Sequence, residues 1–130
     1  MALRFLPAAV IMAAIFLLSH TPGSNLPAAA HGLDKLCHAA AYGSLTAAIL
    51  FALPPYIRGT GGFLPAAAII LFSLIYGLTD EFHQSFIPGR FPSWQDIVAD
   101  VTGALTVVLF WQGWRSRRRS GRITPVIGHR

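Results

Sequence analysis

The chain has 130 residues, of which 54% are hydrophobic and 12% charged, and its formal net charge is +5. This length allows one domain, and the single Cys37 excludes an internal disulfide. The composition argues against a soluble helical bundle, whose helices would show a polar face along most of their length. The apolar residues instead form blocks close to the ~20 residues that a bilayer-spanning helix needs.

The sequence predicts an all-α fold, a four-helix transmembrane bundle with short loops. The predicted spans are Leu3–Ser19, Asp34–Leu53, Phe63–Glu81 and Gln95–Trp114. Prolines 54 and 55 and the glycines between 59 and 62 predict a short turn between the second and third spans. The second span is rich in alanine, glycine and serine, and small residues let membrane helices approach closely.

Positive charge in short flanking segments predicts the orientation of the spans, because such segments stay in the cytoplasm. Arg4 precedes the first span, Arg58 lies between the second and third, and an arginine-rich segment follows the fourth. Both termini are therefore expected to be cytoplasmic. The connections 20–33 and 82–94 are expected on the opposite side.

The first span has a second interpretation. Residues 1–30 also resemble a signal peptide, with Arg4, an apolar core from Leu6 to Leu18 and three alanines at 28–30 as a cleavage site. The apolar core is longer than in most signal peptides and the alanines lie far beyond it, which favours a retained span. The orientation of the other spans is the same in both cases.

The predicted membrane domain covers residues 1–114, and a basic, mobile cytoplasmic tail covers residues 115–130. The tail contains six arginines and no acid. Beside a spanning helix such a run is typical of a topology signal that also contacts anionic lipid, so we expect the lipid bilayer and no nucleic acid as its partner. Whether the chain forms a homo-oligomer stays open.

All the acidic residues lie near one predicted end of the bundle, together with most of the other polar side chains. Ionisable groups at membrane depth are costly and usually functional. Many of these residues recur every four positions, which places them on one face of each helix. The predicted ligand-binding residues are Asp34, Lys35, His38, Tyr42, Tyr76, Asp80, Glu81, Gln84, Arg90, Asp96 and Asp100.

Structural roles compete with ligand binding for several of these residues. Ser93 and Asp96 fit a capping box, in which the Asp96 carboxylate accepts the Ser93 amide. Asp34 fits an N-cap or a first-turn acid. The two tyrosines fit packing roles with local hydrogen bonds. A network of arginine, histidine and acids that only stabilises the bundle is the general alternative.

The spacing of these residues resembles that of the VanZ-like family of bacterial membrane proteins. The pattern reads Asp34-Lys35-x-x-His38-x-x-x-Tyr42, then Tyr76-Gly77-x-x-Asp80-Glu81-x-x-Gln84, then Gly89-Arg90-x-x-Ser93-x-x-Asp96, and ends with Gly103. It covers residues 34–109. This chain departs from the family at Asp100, where the family commonly has Asn. The resemblance implies a small multi-span protein of the bacterial cytoplasmic membrane, and the namesake is associated with low-level teicoplanin resistance.

The leading hypothesis is a polar pocket that faces the extracytoplasmic leaflet and binds a cell-envelope amphiphile, such as a lipid headgroup or a lipid-linked sugar. The hypothesis includes a link to envelope or glycopeptide-antibiotic tolerance, although the resemblance itself does not imply that this protein confers resistance. Arg90 and Lys35 would hold a phosphate, and Arg90 is suited to a bidentate grip.

Two other classes of function stay open. A membrane-embedded hydrolase or transferase would use His38, Asp80 and Glu81 as catalytic residues. A structural or partner-binding subunit would need no small-molecule site. No cofactor is expected, because no spacing matches a dedicated zinc or calcium motif, although His83 with the three catalytic candidates would supply metal-ligand types.

Overall fold

The computed structural model describes residues 2–26, 32–60 and 62–120. These residues form α-helices and short 3-10 turns, and none of them lies in a strand, which confirms the all-α prediction. The helices are α1 (Leu6–Ser19), α2 (Leu33–Ala52), α3 (Pro55–Thr60), α4 (Phe63–Gln84) and α5 (Trp94–Ser120), and the 3-10 turns are Ala2–Phe5 and Gly23–Asn25.

Four of these helices correspond to the predicted spans. By length and composition α2, α4 and α5 are able to cross a membrane, whereas the first apolar helix, Leu3–Ser19, is shorter. The α-helical part of α1 has 14 residues. At 1.5 Å per residue this is about 21 Å, less than the ~30 Å of a hydrocarbon core, and the preceding 3-10 turn adds to it.

Large apolar side chains cover the outer surface of the helices. Phe51, Leu64, Phe110 and Leu109 are each more than half exposed. Water would penalise an apolar surface of this extent, but a bilayer solvates it, and the helices satisfy their own backbone hydrogen bonds. The outside of the bundle therefore fits a lipid environment.

The helices alternate in direction, so equivalent ends meet. Lys35 lies beside Asp96, and His38 beside Asp100, so α2 and α5 run parallel. The Thr46 and Ser73 hydroxyls are 3.3 Å apart, and α4 is antiparallel to α2. The predicted turn between these two helices contains the short helix α3.

The contact between α2 and α5 depends on a glycine. A Cβ atom added to Gly103 would overlap the backbone carbonyl group of Ala39. A Cβ atom added to Gly43 would lie 3.4 Å from the Gly103 carbonyl oxygen. The small residues that the sequence placed on the second helix thus allow the two backbones to approach closely, as expected for membrane helices.

The last helix continues beyond the predicted end of the membrane domain. It runs through Trp114 to Ser120, so the first six residues of the predicted tail are helical. The Arg115 and Arg118 guanidinium groups lie 4.8 Å and 4.0 Å from the ring centroids of Trp111 and Trp114. The remaining tail residues, and the alanines proposed as a cleavage site, lie outside the described residues.

We expect Gly103→Ala to destabilise the protein by about 1–3 kcal/mol, because the new methyl group would push α5 away from α2. Thermal unfolding of detergent-purified protein measures this effect. Gly113→Ala on the same helix is the matched control, because an added Cβ atom there meets nothing within 4 Å. The control should be neutral or slightly stabilising. Equal stability of the two variants would contradict the proposed close contact.

Candidate functional site

Polar side chains from α2, α4 and α5 meet at one end of the bundle, as the sequence predicts. The N-terminal ends of α2 and α5 and the C-terminal ends of α1 and α4 form this end. Asp80, Glu81, Gln84, Asp96 and Asp100 are buried there. Burial of this many polar groups is costly unless each has a partner, so the partners define the site.

His38 and Asp100 form the central pair. His38 Nδ1 lies 2.9 Å from Asp100 Oδ1, and the Asp100 side chain is fully buried. The other carboxylate oxygen, Oδ2, faces Gly77, where an added Cβ atom would lie 2.7 Å away. Gly77 therefore makes the space that this carboxylate occupies. With Nδ1 held by Asp100, Nε2 of the imidazole is available to the rest of the site.

Two carboxylates of α4 lie close to the same imidazole. One ring nitrogen of His38 and one oxygen each of Asp80 and Glu81 lie within 4.8 Å of one another. Asp80 and Glu81 are 6% and 5% exposed. The three catalytic candidates named from the sequence are thus neighbours in space.

Gln84 and the start of α5 hold these two carboxylates. Gln84 Nε2 donates to Asp80 Oδ2 at 3.0 Å and lies 3.5 Å from Glu81 Oε1. The Ser93 backbone N–H donates to Glu81 Oε2 at 2.6 Å. The predicted capping box is therefore wrong in its acceptor. Glu81 of another helix, and not Asp96, accepts the Ser93 amide and places a negative charge at the N-terminus of α5.

Lys35 is bound by carboxylates. Its ammonium group donates to Asp34 Oδ2 at 2.8 Å and also to Asp96 Oδ1. Asp34 lies in the first turn of α2, in agreement with one of its predicted roles. The pair with Asp96 joins the N-terminal ends of α2 and α5. Two carboxylates of the protein thus neutralise the positive charge of Lys35.

Arg90 binds backbone carbonyl groups instead of acids. Its Nε donates to the Thr21 carbonyl oxygen at 3.1 Å, and its Nη2 donates to the Leu18 carbonyl oxygen. These carbonyl groups lie at the C-terminal end of α1, where the helix dipole favours a cation. The described bonds use two of the five guanidinium N–H groups.

The two tyrosines differ in their hydrogen bonding. The Tyr76 hydroxyl donates to the Met12 carbonyl oxygen at 2.9 Å, so it links α4 to α1 as a packing residue. Tyr42 is fully buried, and its hydroxyl has no partner among the described residues. Their ring centroids are 5.9 Å apart. An unpaired hydroxyl in this position is costly and indicates a missing partner.

A cavity of about 360 Å³ opens beside this cluster. Six of the eleven predicted site residues line it, whereas the other five, Lys35, Tyr76, Glu81, Asp96 and Asp100, do not. Its remaining walls come from α1, the following loop and α2. The lining residues are Ile15, Leu18, Ser19, Leu26, Leu33, Asp34, Cys37, His38, Ala41, Tyr42, Asp80, Gln84 and Arg90.

His83 lies apart from the other residues that were considered as metal ligands. His20 Nδ1 and His83 Nε2 are 3.2 Å apart, and the His83 ring lies 4.7 Å from that of Phe16. Sequence reasoning missed this pair and also missed Ser19, which lies 3.4 Å from Gln84 Nε2. No local pattern connects these residues, because they come from α1 and the end of α4.

Replacement of Arg90 by lysine should lower the free energy of unfolding by about 1–3 kcal/mol, because a single ammonium group does not reproduce the planar fork that reaches both carbonyl groups. Chemical or thermal unfolding in detergent measures the loss. Arg117→Lys, at an exposed position of α5, is the matched control and should have no effect. If both lysine variants unfold alike, Arg90 does not stabilise the end of α1.

Comparison with known proteins identifies the family of this chain. The VanZ/LLP1 family model matches residues 4–115, which includes α1 as well as the motifs of the later helices. No curated protein and no solved structure gave a match. The match covers most of the chain, and the chain therefore belongs to the VanZ/LLP1 family, as a multi-pass membrane protein.

Proposed function

We propose that this protein binds a cell-envelope amphiphile, a lipid headgroup or a lipid-linked sugar, in the cavity between α1, α2 and α4. The observation that supports the proposal most directly is the mixed lining of the cavity, which combines apolar side chains such as Leu18 and Leu33 with polar groups such as Asp80. An amphiphile presents both kinds of surface. The proposed location is the bacterial cytoplasmic membrane, with the cavity on the extracytoplasmic side and both termini inside.

The apolar part of the lining continues onto the outer surface. Leu18 and Leu33 line the cavity and are 63% and 51% exposed. In a bilayer these side chains face acyl chains, so an apolar tail is able to remain in the lipid while its headgroup enters the cavity. Such lateral entry spares the tail any transfer into water.

The polar part of the lining supplies donors and acceptors for a headgroup. Arg90 retains three N–H groups beyond its two described bonds, which suits a phosphate oxygen. Tyr42 offers a hydroxyl that has no partner among the described residues, and Asp80 offers a carboxylate; both suit sugar hydroxyls. Lys35 was expected to share the phosphate, but two carboxylates occupy its ammonium group, so the proposal assigns the phosphate to Arg90 alone.

A membrane-embedded hydrolase or transferase is the second candidate, and the His38–Asp100 pair favours it. A carboxylate on Nδ1 fixes the imidazole and leaves Nε2 to accept a proton from water or a hydroxyl group. Asp80 and Glu81 lie near the same imidazole as further acid–base groups, because one oxygen of each is within 4.8 Å of a ring nitrogen. The enzyme and the binder would use the same cavity. The proposed link to glycopeptide-antibiotic tolerance is separate from this choice, because only the namesake of the family suggests it.

We expect Ala41→Phe to abolish binding of the amphiphile, because Ala41 lines the cavity and the new ring would occupy part of its volume. The measurement is mass spectrometry of lipids that remain with purified protein after exposure to an envelope lipid extract. Ala40→Phe is the matched control, because Ala40 is exposed and outside the cavity. Retention of the same lipid by both variants would exclude this cavity as its site.

The same lipid extract distinguishes the binder from the enzyme. Incubation with the wild-type protein should leave the retained lipid chemically unchanged if the protein only binds it. Time-dependent appearance of a product, lost in His38→Gln, would instead establish a hydrolase or transferase. Membrane insertion and detergent-extracted yield of His38→Gln should equal those of the wild type, because the glutamine amide retains an N–H donor for the buried Asp100 carboxylate.

A further inference from the structure

We propose that His38, Asp80 and Glu81 bind a divalent transition-metal ion. The ligands come from two antiparallel helices, α2 and α4. They are therefore far apart in the sequence and do not form a short metal-binding motif. This inference does not depend on the proposed amphiphile, because an ion can occupy these ligands in the absence of any lipid.

The distances between the ligand atoms fit a metal ion after small movements. One nitrogen of His38 and one oxygen from each carboxylate lie within 4.8 Å of one another. Ligands at ~2.1 Å from a tetrahedral ion are about 3.4 Å apart. Each side chain therefore needs to move inward by less than about 1 Å, which rotations of side-chain torsions supply without a change in the helices.

Each of the three ligands is held from behind by a second group. Asp100 Oδ1 lies 2.9 Å from His38 Nδ1. Gln84 donates a hydrogen bond to Asp80 at 3.0 Å, and the Ser93 backbone N–H donates one to Glu81 at 2.6 Å. Metal-ligating histidines usually have a carboxylate on the other ring nitrogen, and ligating carboxylates are also hydrogen-bonded. The arrangement around this group follows that pattern at all three positions.

The charge balance of the buried cluster calls for a cation. Asp80, Glu81 and Asp100 are at most 6% exposed. Three carboxylates and one imidazolium would leave two negative charges unbalanced, and two of these acids lie at the C-terminal end of α4, where the helix dipole disfavours anions. The nearby cations are engaged elsewhere, since Lys35 binds Asp34 and Asp96, and Arg90 binds carbonyl groups of α1.

A separate observation points to a bound species at the same place. The fully buried Tyr42 lines the cavity together with His38 and Asp80, and its hydroxyl has no partner among the described residues. A water molecule on the open coordination position of the ion would give this hydroxyl a partner. Three protein ligands with one open position are typical of ions that contact a substrate or water.

The chemistry of the ligands selects the class of ion. One imidazole nitrogen with two carboxylate oxygens suits Zn²⁺ or Mn²⁺. Mg²⁺ and Ca²⁺ prefer oxygen ligands and usually retain water or carbonyl ligands, so they should bind more weakly here.

The test uses the full chain without an affinity tag, purified in detergent and treated with a chelator before dialysis against Zn²⁺, Mn²⁺, Mg²⁺ or Ca²⁺. We expect about one Zn²⁺ or Mn²⁺ per chain by elemental analysis, and a higher thermal unfolding temperature with the ion. Asp80→Asn and His38→Gln should each bind at least ~10-fold more weakly and lose the thermal shift, and Asp100→Asn should weaken binding by ~10-fold or more through its effect on His38.

Two matched controls separate this site from other ligands on the chain. Asp34→Asn removes an exposed carboxylate outside the group, and His83→Ala removes the His20–His83 pair. Both variants should bind the ion as the wild type does. Size-exclusion profiles show whether Asp80→Asn and His38→Gln remain folded. Absence of stoichiometric ion from folded wild type, or binding that is lost in His83→Ala but retained in folded His38→Gln, would overturn the proposal.

Discussion

The close approach of α2 and α5 at Gly103 is the contact on which the polar end of the bundle depends. Because Gly103 has no side chain to separate its backbone from that of Ala39, the two helices lie close together. His38 is therefore near enough to contact Asp100, which lies about one turn before Gly103 on α5. The same proximity lets Lys35 reach Asp96 at the helix ends. Hydrophobicity does not bring helices together in lipid, so small residues and polar pairs have to supply the association.

Several of the buried acids are bound by a residue outside their own helix. Asp96 belongs to α5 but binds a lysine of α2, and Glu81 belongs to α4 but accepts the Ser93 amide, directly before α5. Lipid makes an unpaired carboxylate expensive, and each pair therefore also fixes the relative position of two helices. Two buried polar atoms, the Tyr42 hydroxyl and Asp100 Oδ2, have no hydrogen-bond partner among the described residues. Tyr42 lines the cavity, where a ligand would supply its partner, whereas Asp100 Oδ2 faces Gly77.

The sequence was sufficient to predict which residues meet, but not how they pair. Four-residue spacing and the position of each residue within its span place His38, Asp80 and Asp100 on facing surfaces at one end, and the structure agrees. The pairing depends on the register between helices, which local spacing does not encode. Arg90 illustrates this limit, because its acceptors are backbone carbonyl groups, and every residue has such a group.

The first helix was ambiguous for a different reason, since length and composition alone do not distinguish a short span from a secretion signal. The structure ties this helix to the rest by specific bonds. Tyr76 donates to Met12, Arg90 donates to Leu18 and Thr21, and Gln84 lies within reach of Ser19. Loss of α1 and the connection after it would remove the acceptors of all three donors and open the cavity that Ile15 and Leu18 help to line. In the folded protein, α1 is thus one wall of the cavity and supplies acceptors for side chains from later in the chain.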